Sequence, residues 1–252
     1  MTPDAITVRR ALRQQLRSDQ LLGARAVPIA RRERRAAAVQ STSPRDGAAN
    51  RPPGDKSERL RLLDENHVRS CTKCDLSKTR TRTVFGQGDA DARLVLVGEA
   101  PGFEEDRQGL AFVGKAGQLL GRMIAAMGLT RDDVFICNVL KCRPPNNRDP
   151  SADEILACSP YLQEQIATIQ PEVLVALGAP AAKTLLHTAE SIGRLRGRFH
   201  DYYLSGVSGS GPSIPLMPTY HPAYLLRSPA EKRKAWDDLQ MVMALLGLPA
   251  PS

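Results

Sequence analysis

The stretch Leu94-Val95-Leu96-Val97-Gly98-Glu99-Ala100-Pro101-Gly102 decides how this chain is read. A short apolar, β-branched run closed by glycine has the length and character of a strand buried on both faces, as in a parallel sheet. The loop leaving it sets two glycines around a proline, so that backbone amides approach a ligand, and it places Glu99 at the strand end. Three further runs share the pattern: Val134–Val139, Val173–Leu177 and Ile214–Met217. The segments between them have the helical length that right-handed βαβ crossovers require. Ser151 with Glu154 reads as a capping box opening a helix through Ile169. Ser228, Pro229 and Glu231 read as the N-cap, N1 proline and N3 acid of the last helix. The expected fold is α/β: three layers, α/β/α, around a central, mostly parallel four-stranded sheet. In such sheets ligands bind beyond the carboxyl ends of the strands, so the loops there are where chemistry is expected.

Outward from that core, composition sets the class. The chain has 252 residues, 42% of them apolar, enough for one sizeable core. No run approaches the ~20 apolar residues of a membrane span, and no secretory apolar region follows the start, so membrane and secreted classes are disfavoured. The formal charge is +8, which makes a polyanion such as nucleic acid the first partner to test. Residues 1–56 hold 12 Lys and Arg against five acids, so nearly all the excess lies there. The segment Ser41–Ser57 is rich in Ser, Pro, Gly and Asn. Residues 1–56 are therefore expected to be a basic disordered tail and linker, and residues 57–252 the folded domain. Within the tail, Ala5, Val8, Leu12 and Leu16 fall at helical spacing among arginines, a pattern that forms a basic helix on contact with DNA, a membrane or an unidentified partner.

Four loops carry candidate chemistry. Beside Glu99, Ala100 and Gly102 offer backbone amides. Phe112 opens the glycine-rich run Phe112-Val113-Gly114-Lys115-Ala116-Gly117. That run lacks the order of an ATP-binding phosphate loop, and its ring suits either core packing or stacking on a base. Asn138 interrupts an apolar strand, and its amide, one acceptor and one donor, complements N3–H and O4 of uracil and mismatches cytosine. His221 follows the fourth strand in Tyr220-His221-Pro222-Ala223-Tyr224-Leu225-Leu226-Arg227.

Five cysteines, Cys71, Cys74, Cys137, Cys142 and Cys158, suit neither a disulfide framework nor an oxidising compartment, which points to a reducing cytoplasm. Cys71-Thr72-Lys73-Cys74 is a ligand pair, and Cys142 and Cys158 can complete a set. A zinc ribbon fits poorly because the second pair is not Cys-x-x-Cys. Spacing leaves an iron–sulfur cluster, zinc and no metal all open.

Taken together, Cys71-x-x-Cys74, the 98–102 and 112–117 loops, Asn138-Val139-Leu140-Lys141-Cys142-Arg143-Pro144-Pro145-Asn146-Asn147-Arg148 and His221–Arg227 closely resemble family 4 uracil-DNA glycosylases, over roughly residues 60–247. The resemblance implies a DNA repair enzyme that flips uracil from single- or double-stranded DNA and hydrolyses its N-glycosidic bond. It implies a 4Fe-4S cluster on Cys71, Cys74, Cys142 and Cys158, and a monomer in a bacterial-type, nucleoid-associated cytoplasmic setting. By the same resemblance Glu99 matches the acid of the first motif, Phe112 the ring that stacks on uracil, Asn138 the amide that reads its edge, and His221 the donor facing O2. Glu105 matches the position that crowds C5 and excludes thymine, and Leu225 the wedge that fills the vacated stack. Lys141, Arg143, Arg148 and Arg227 are expected to face the DNA backbone. A related variant that traps DNA covalently carries a Lys-Arg-Arg-Ile-His insertion which this chain lacks, so turnover is expected.

Overall fold

The computed structural model describes residues 54–206, 209 and 211–249; of the tail and linker expected over residues 1–56, residues 1–53 lie outside the described residues, and residues 54–56 are helical, opening the first helix instead of ending a linker. From there the chain runs through α1 (Gly54–Leu63), β1 (Gln87–Gly88), β2 (Leu94–Gly98), α2 (Phe103–Gln108), α3 (Lys115–Ala126) and β3 (Phe135–Asn138). It continues through α4 (Ala152–Ile169), β4 (Val173–Leu177), α5 (Ala179–Leu186), α6 (Ile192–Leu195), β5 (His200–Tyr203), β6 (Ser213–Thr219), α7 (Pro222–Arg227) and α8 (Lys232–Leu246).

The four apolar runs become β2, β3, β4 and β6, paired in parallel in the order β3-β2-β4-β6. Every residue of β2, β3 and β4 is buried, because helices cover both faces of the sheet. Side chains alternate accordingly. Val95, Val97 and Cys137 join Leu162, Ile166 and Ile169 of α4 in one apolar cluster, while Leu94, Leu96 and Ile136 join Ile124 of α3 and Val242 and Met243 of α8 in another. These two clusters make the three layers.

The sheet has six strands, where four were expected. The two additions, β1 on β3 and β5 on β6, pair antiparallel at the edges. Two-residue β1 carries no apolar signal, and β5 reads His-Asp-Tyr-Tyr with one buried side chain, as an edge strand can.

The capping box at α4 forms as expected: Ser151 Oγ accepts from the Glu154 amide at 3.3 Å and Glu154 Oε2 accepts from the Ser151 amide at 2.8 Å. The last helix starts later than its sequence signal. Pro229–Glu231 is a separate 3₁₀ turn without a side-chain cap, and α8 begins at Lys232. Among the described residues no helix is long and apolar enough to cross a membrane.

The strand order has one consequence for function. From β2 the chain steps to β3 on one side and then to β4 on the other, so the loops after β2 and β4 diverge. A crevice opens at that reversal, beyond the carboxyl ends of the strands.

Candidate active site

That crevice holds a cavity of about 780 Å³ lined by Glu99, Ala100, Gly102, Glu105, Phe112, Asn138, Tyr220 and His221. The volume is that of a site for a small organic group. Loops from β2, β3, β4 and β6 therefore deliver the expected residues to one place.

Phe112 is buried and sits at φ 53°, a left-handed conformation unusual for a bulky side chain. Two neighbours make that conformation affordable to the loop. Glu105 Oε1 accepts from the amides of Val113 and Gly114, both at 2.9 Å. A Cβ on Gly117 would overlap the Phe112 carbonyl, so close approach requires glycine there. Glu105 thus lines the cavity and also ties down the loop that carries the ring. Gly98 has a similar necessity: any side chain at this position would overlap both the Asn138 amide and the Phe112 ring. Ring and amide consequently stand side by side over the end of β2.

Asn138 closes β3 with only 2% of its surface exposed. Its Oδ1 is buried and has no hydrogen-bond partner. A buried acceptor left unpaired in the wall of a cavity is a cost that a bound donor removes.

His221 is the N-cap of α7, with Nδ1 accepting from the Ala223 amide at 3.1 Å. Because Nδ1 is the acceptor, the ring proton of the neutral imidazole sits on Nε2. The ring lies 5.7 Å from that of Phe112 at an interplanar angle of 33°. Burial, reinforced by the Arg227 charge, pushes its pKa down to about 4, against a smaller opposing effect of Glu105. The imidazole is therefore neutral at physiological pH.

Glu99 is shifted the other way. Burial, and then the negative charge of Asp149, raise its pKa to about 7. A carboxylate poised near neutrality in a cleft is a functional candidate on physical grounds.

Two expected residues are not where they were placed. Lys141 does not face solvent. It is 1% exposed, and its ammonium donates to the Asn138 carbonyl at 2.8 Å and to Gln165 Oε1 at 2.6 Å. It braces the end of β3 from inside, which removes it from the DNA-facing set. Leu225 is likewise 1% exposed, packed with Leu119 and Ala235. One turn past the cap, it falls on the inner face of α7, and entering a base stack would take it out of the core. Its neighbours Tyr224 and Leu226 are the exposed ones, and Tyr224 lines the cavity.

The other basic positions lie at the surface with partial engagements. Arg148 lines the cavity and pairs with Glu154 through both terminal nitrogens, at 2.9 and 2.6 Å. Arg143 donates from Nε to Asn147 Oδ1 at 2.7 Å. Arg227 lines the cavity from the end of α7.

Several lining residues carried no signal in the sequence. Asp149 acts on Glu99 only through the fold, and Tyr220 stacks on Tyr224 at 5.0 Å between centroids. Gly178, at φ 93°, stands so close to His221 that a side chain would press on its Cβ. A glycine immediately after a buried strand was the one available hint.

On the α4 side of the sheet, Cys71, Cys74, Cys142 and Cys158 line one small, largely apolar pocket together with Arg80 and Tyr161. Two donors already point at sulfur: Arg80 Nη1 at 3.2 Å from Cys142 Sγ and the Lys141 amide at 3.2 Å from Cys158 Sγ. Among the described residues no group of three or more Cys, His, Asp or Glu converges tightly enough to hold a single metal ion. Four thiols lining one pocket, two of them already accepting from N–H donors, have the chemistry of a thiolate ligand set. Cys137, buried in β3 on the α4 side of the sheet, does not line this pocket.

Known proteins give an independent comparison. The profile of the family described as the Uracil DNA glycosylase superfamily matches residues 85–240. The chain is 45% identical to a type-4 uracil-DNA glycosylase of Saccharolobus solfataricus, over 73% of its own length and 85% of the relative's. It is 42% identical to one of Archaeoglobus fulgidus, over 77% of its length and 98% of the relative's. Similarity to a type-5 uracil-DNA glycosylase of Pyrobaculum aerophilum is lower, 31% over 57% of this chain.

Proposed function

The chain belongs to the uracil DNA glycosylase superfamily, on its type-4 branch, and we propose that it excises uracil from DNA with Glu99, Asn138 and His221 as its working groups. It is a glycosylase that hydrolyses the N-glycosidic bond of uracil in DNA repair. The observation that carries the assignment of residues is the unpaired Oδ1 of Asn138 in the cavity wall.

Uracil stacked in a duplex is out of reach, so the nucleotide is extruded, at a cost of a few kcal/mol that is least for mismatched or single-stranded sites. Stacking on Phe112 and pairing with Asn138 offset that cost. N3–H of uracil donates to Oδ1, and the Asn138 amide donates to O4. Cytosine, with an acceptor at N3 and a donor at N4, fits neither contact. Glu105, beside Gly102 and Gly114, is the side chain suited to crowd a methyl group at C5.

Breaking the C1′–N1 bond leaves a cationic sugar and an anionic base, so catalysis is chiefly stabilisation of two charges by groups already in place. The Nε2 proton of His221 donates to the charge developing on O2, and a neutral ring suffices. Glu99, once ionised, stabilises the sugar cation or orients the attacking water. His221→Ala is expected to lower single-turnover excision by about 10²-fold, the usual loss for one transition-state donor; an unchanged rate would remove His221 from the site.

We assign the four-thiol pocket to a 4Fe-4S cluster held by Cys71, Cys74, Cys142 and Cys158. Its role is structural: bound there, it ties the segment around residues 71–74 to the start of α4. The purified protein is expected to be brown and to contain about four irons and four acid-labile sulfides per chain. A colourless protein with one zinc per chain would refute the cluster. The activity itself is tested with oligonucleotides bearing a single uracil, followed by alkaline cleavage of abasic sites; an uncut strand would overturn the reading.

A further inference from the structure

Among the exposed large apolar side chains of the described residues, two are aromatic, Phe103 and Tyr224. Tyr224 lines the cavity and is already stacked on Tyr220. Phe103 has no part in the chemistry above. It is 57% exposed and opens α2 directly after Gly102, whose backbone lines the cavity.

The ring is nevertheless organised. The Arg143 guanidinium lies over it, 5.2 Å from the centroid, and is fixed from behind by the 2.7 Å bond to Asn147 Oδ1. Asn146 and Asn147 both adopt positive φ, 56° and 53°, so the turn is bent in a way that brings the Asn147 side chain back to Arg143. Pro144 and Asn147, on either side of that contact, line the cavity. The Phe103–Arg143 pair therefore stands on the rim, between the loop after β2 and the loop after β3. An exposed ring paired with a guanidinium presents a π surface and a positive charge together, the combination that holds single-stranded nucleic acid.

We propose that Phe103, backed by Arg143, is a stacking platform for an unpaired nucleobase next to the flipped uracil. The inference rests on the uracil-excision reading and extends it to a second subsite. Its ligand class is a nucleobase of any identity, since every base has a π face. In a duplex the neighbouring base is already stacked and paired, so the platform serves single-stranded or locally opened DNA.

The test compares wild type, Phe103→Ala and Phe103→Tyr on one uracil-containing sequence, single-stranded and in duplex, with 2-aminopurine placed on either side of the uracil. Phe103→Ala is expected to raise KM on the single strand about 10-fold, with kcat unchanged and under a twofold effect on the duplex. Phe103→Tyr restores KM. Quenching of 2-aminopurine on one side of the uracil, present with wild type, is lost with Phe103→Ala. Equal KM values together with equal quenching would overturn the platform, and a Phe103→Ala loss confined to kcat would do so too. Because quenching reads binding without turnover, a wild-type protein that quenches but does not cut would sink the excision reading while leaving the platform standing.

Discussion

Asn138→Asp should reduce uracil excision by about 10³-fold at pH 8, and the deficit should shrink as the pH is lowered. An ionised aspartate offers two acceptors. It keeps the partner for N3–H, but it sets a negative oxygen against O4, where the asparagine amide donated. A site that must hydrogen-bond its substrate discriminates by 10³-fold or more when one partner is mismatched, because the buried groups are left unpaired. A protonated aspartic acid, by contrast, again has one donor and one acceptor and reproduces the pattern of the amide. Asn138 is buried beside an apolar ring, so an acid there would have a raised pKa and regain its proton within an accessible range. The measurement is the single-turnover rate of the variant relative to wild type at each pH, with Asn138→Leu as the control that can regain nothing. A ratio that stays near one would show that this side chain does not read the base. A ratio equally low at all pH values, matching the leucine variant, would show that it does more than hydrogen-bond.

Much of this site was legible in the sequence because its determinants are local. The β2, β3, β4 and β6 strands are apolar runs that no other element explains, and once they are parallel their carboxyl ends must converge. Glu99, Phe112 and His221 follow as the polar or aromatic exceptions in the connecting loops, and Asn138 as the polar end of β3. What escaped depends on partners distant in the chain. Lys141 stands in a basic, proline-rich run that looks solvated, yet Gln165, 24 residues on, and the Asn138 carbonyl take its ammonium indoors. Burial holds that ammonium below the ordinary lysine value, a cost that two good acceptors moderate. Leu225 was expected to be the wedge on the resemblance alone, and its place on the inner face of α7 follows only from the packing of α7 against α3. The edge strands escaped for the opposite reason: β1 and β5 draw their identity from the neighbour they pair with.

Glu99→Gln is expected to slow excision by about 10³-fold at pH 8, within the range for losing an acid–base group, and to stabilise the protein at the same time. Both effects follow from one shift. The carboxyl titrates near 7 in the folded protein, against an ordinary value of 4.5, because burial and Asp149 disfavour its charge. Either role for Glu99, base or electrostatic partner, needs the ionised form. Wild-type kcat/KM should therefore rise with pH through about 7 and level off above it. His221 cannot supply that limb, since its pKa of about 4 keeps it neutral throughout. In Glu99→Gln the limb near 7 should vanish, leaving the residual rate flat down to about pH 4. There, protonation of Nδ1 turns the acceptor for the Ala223 amide into a donor. For stability, a raised folded-state pKa means the folded protein binds the proton more tightly than the unfolded chain. The stability this gives wild type is fully present below about 4.5 and is lost as the pH rises through 7. The glutamine variant loses nothing over that interval. Its advantage should be absent below pH 4.5, grow between 4.5 and 7, and be complete above 7. Linkage sets a ceiling of about 3 kcal/mol, reduced by the part of the carboxyl open to the cavity, which corresponds to a few degrees in Tm. A limb near pH 7 that persists in Glu99→Gln would assign the titration to another group. A Tm difference between the two proteins that does not change with pH would show that the carboxyl is not held uncharged by its surroundings.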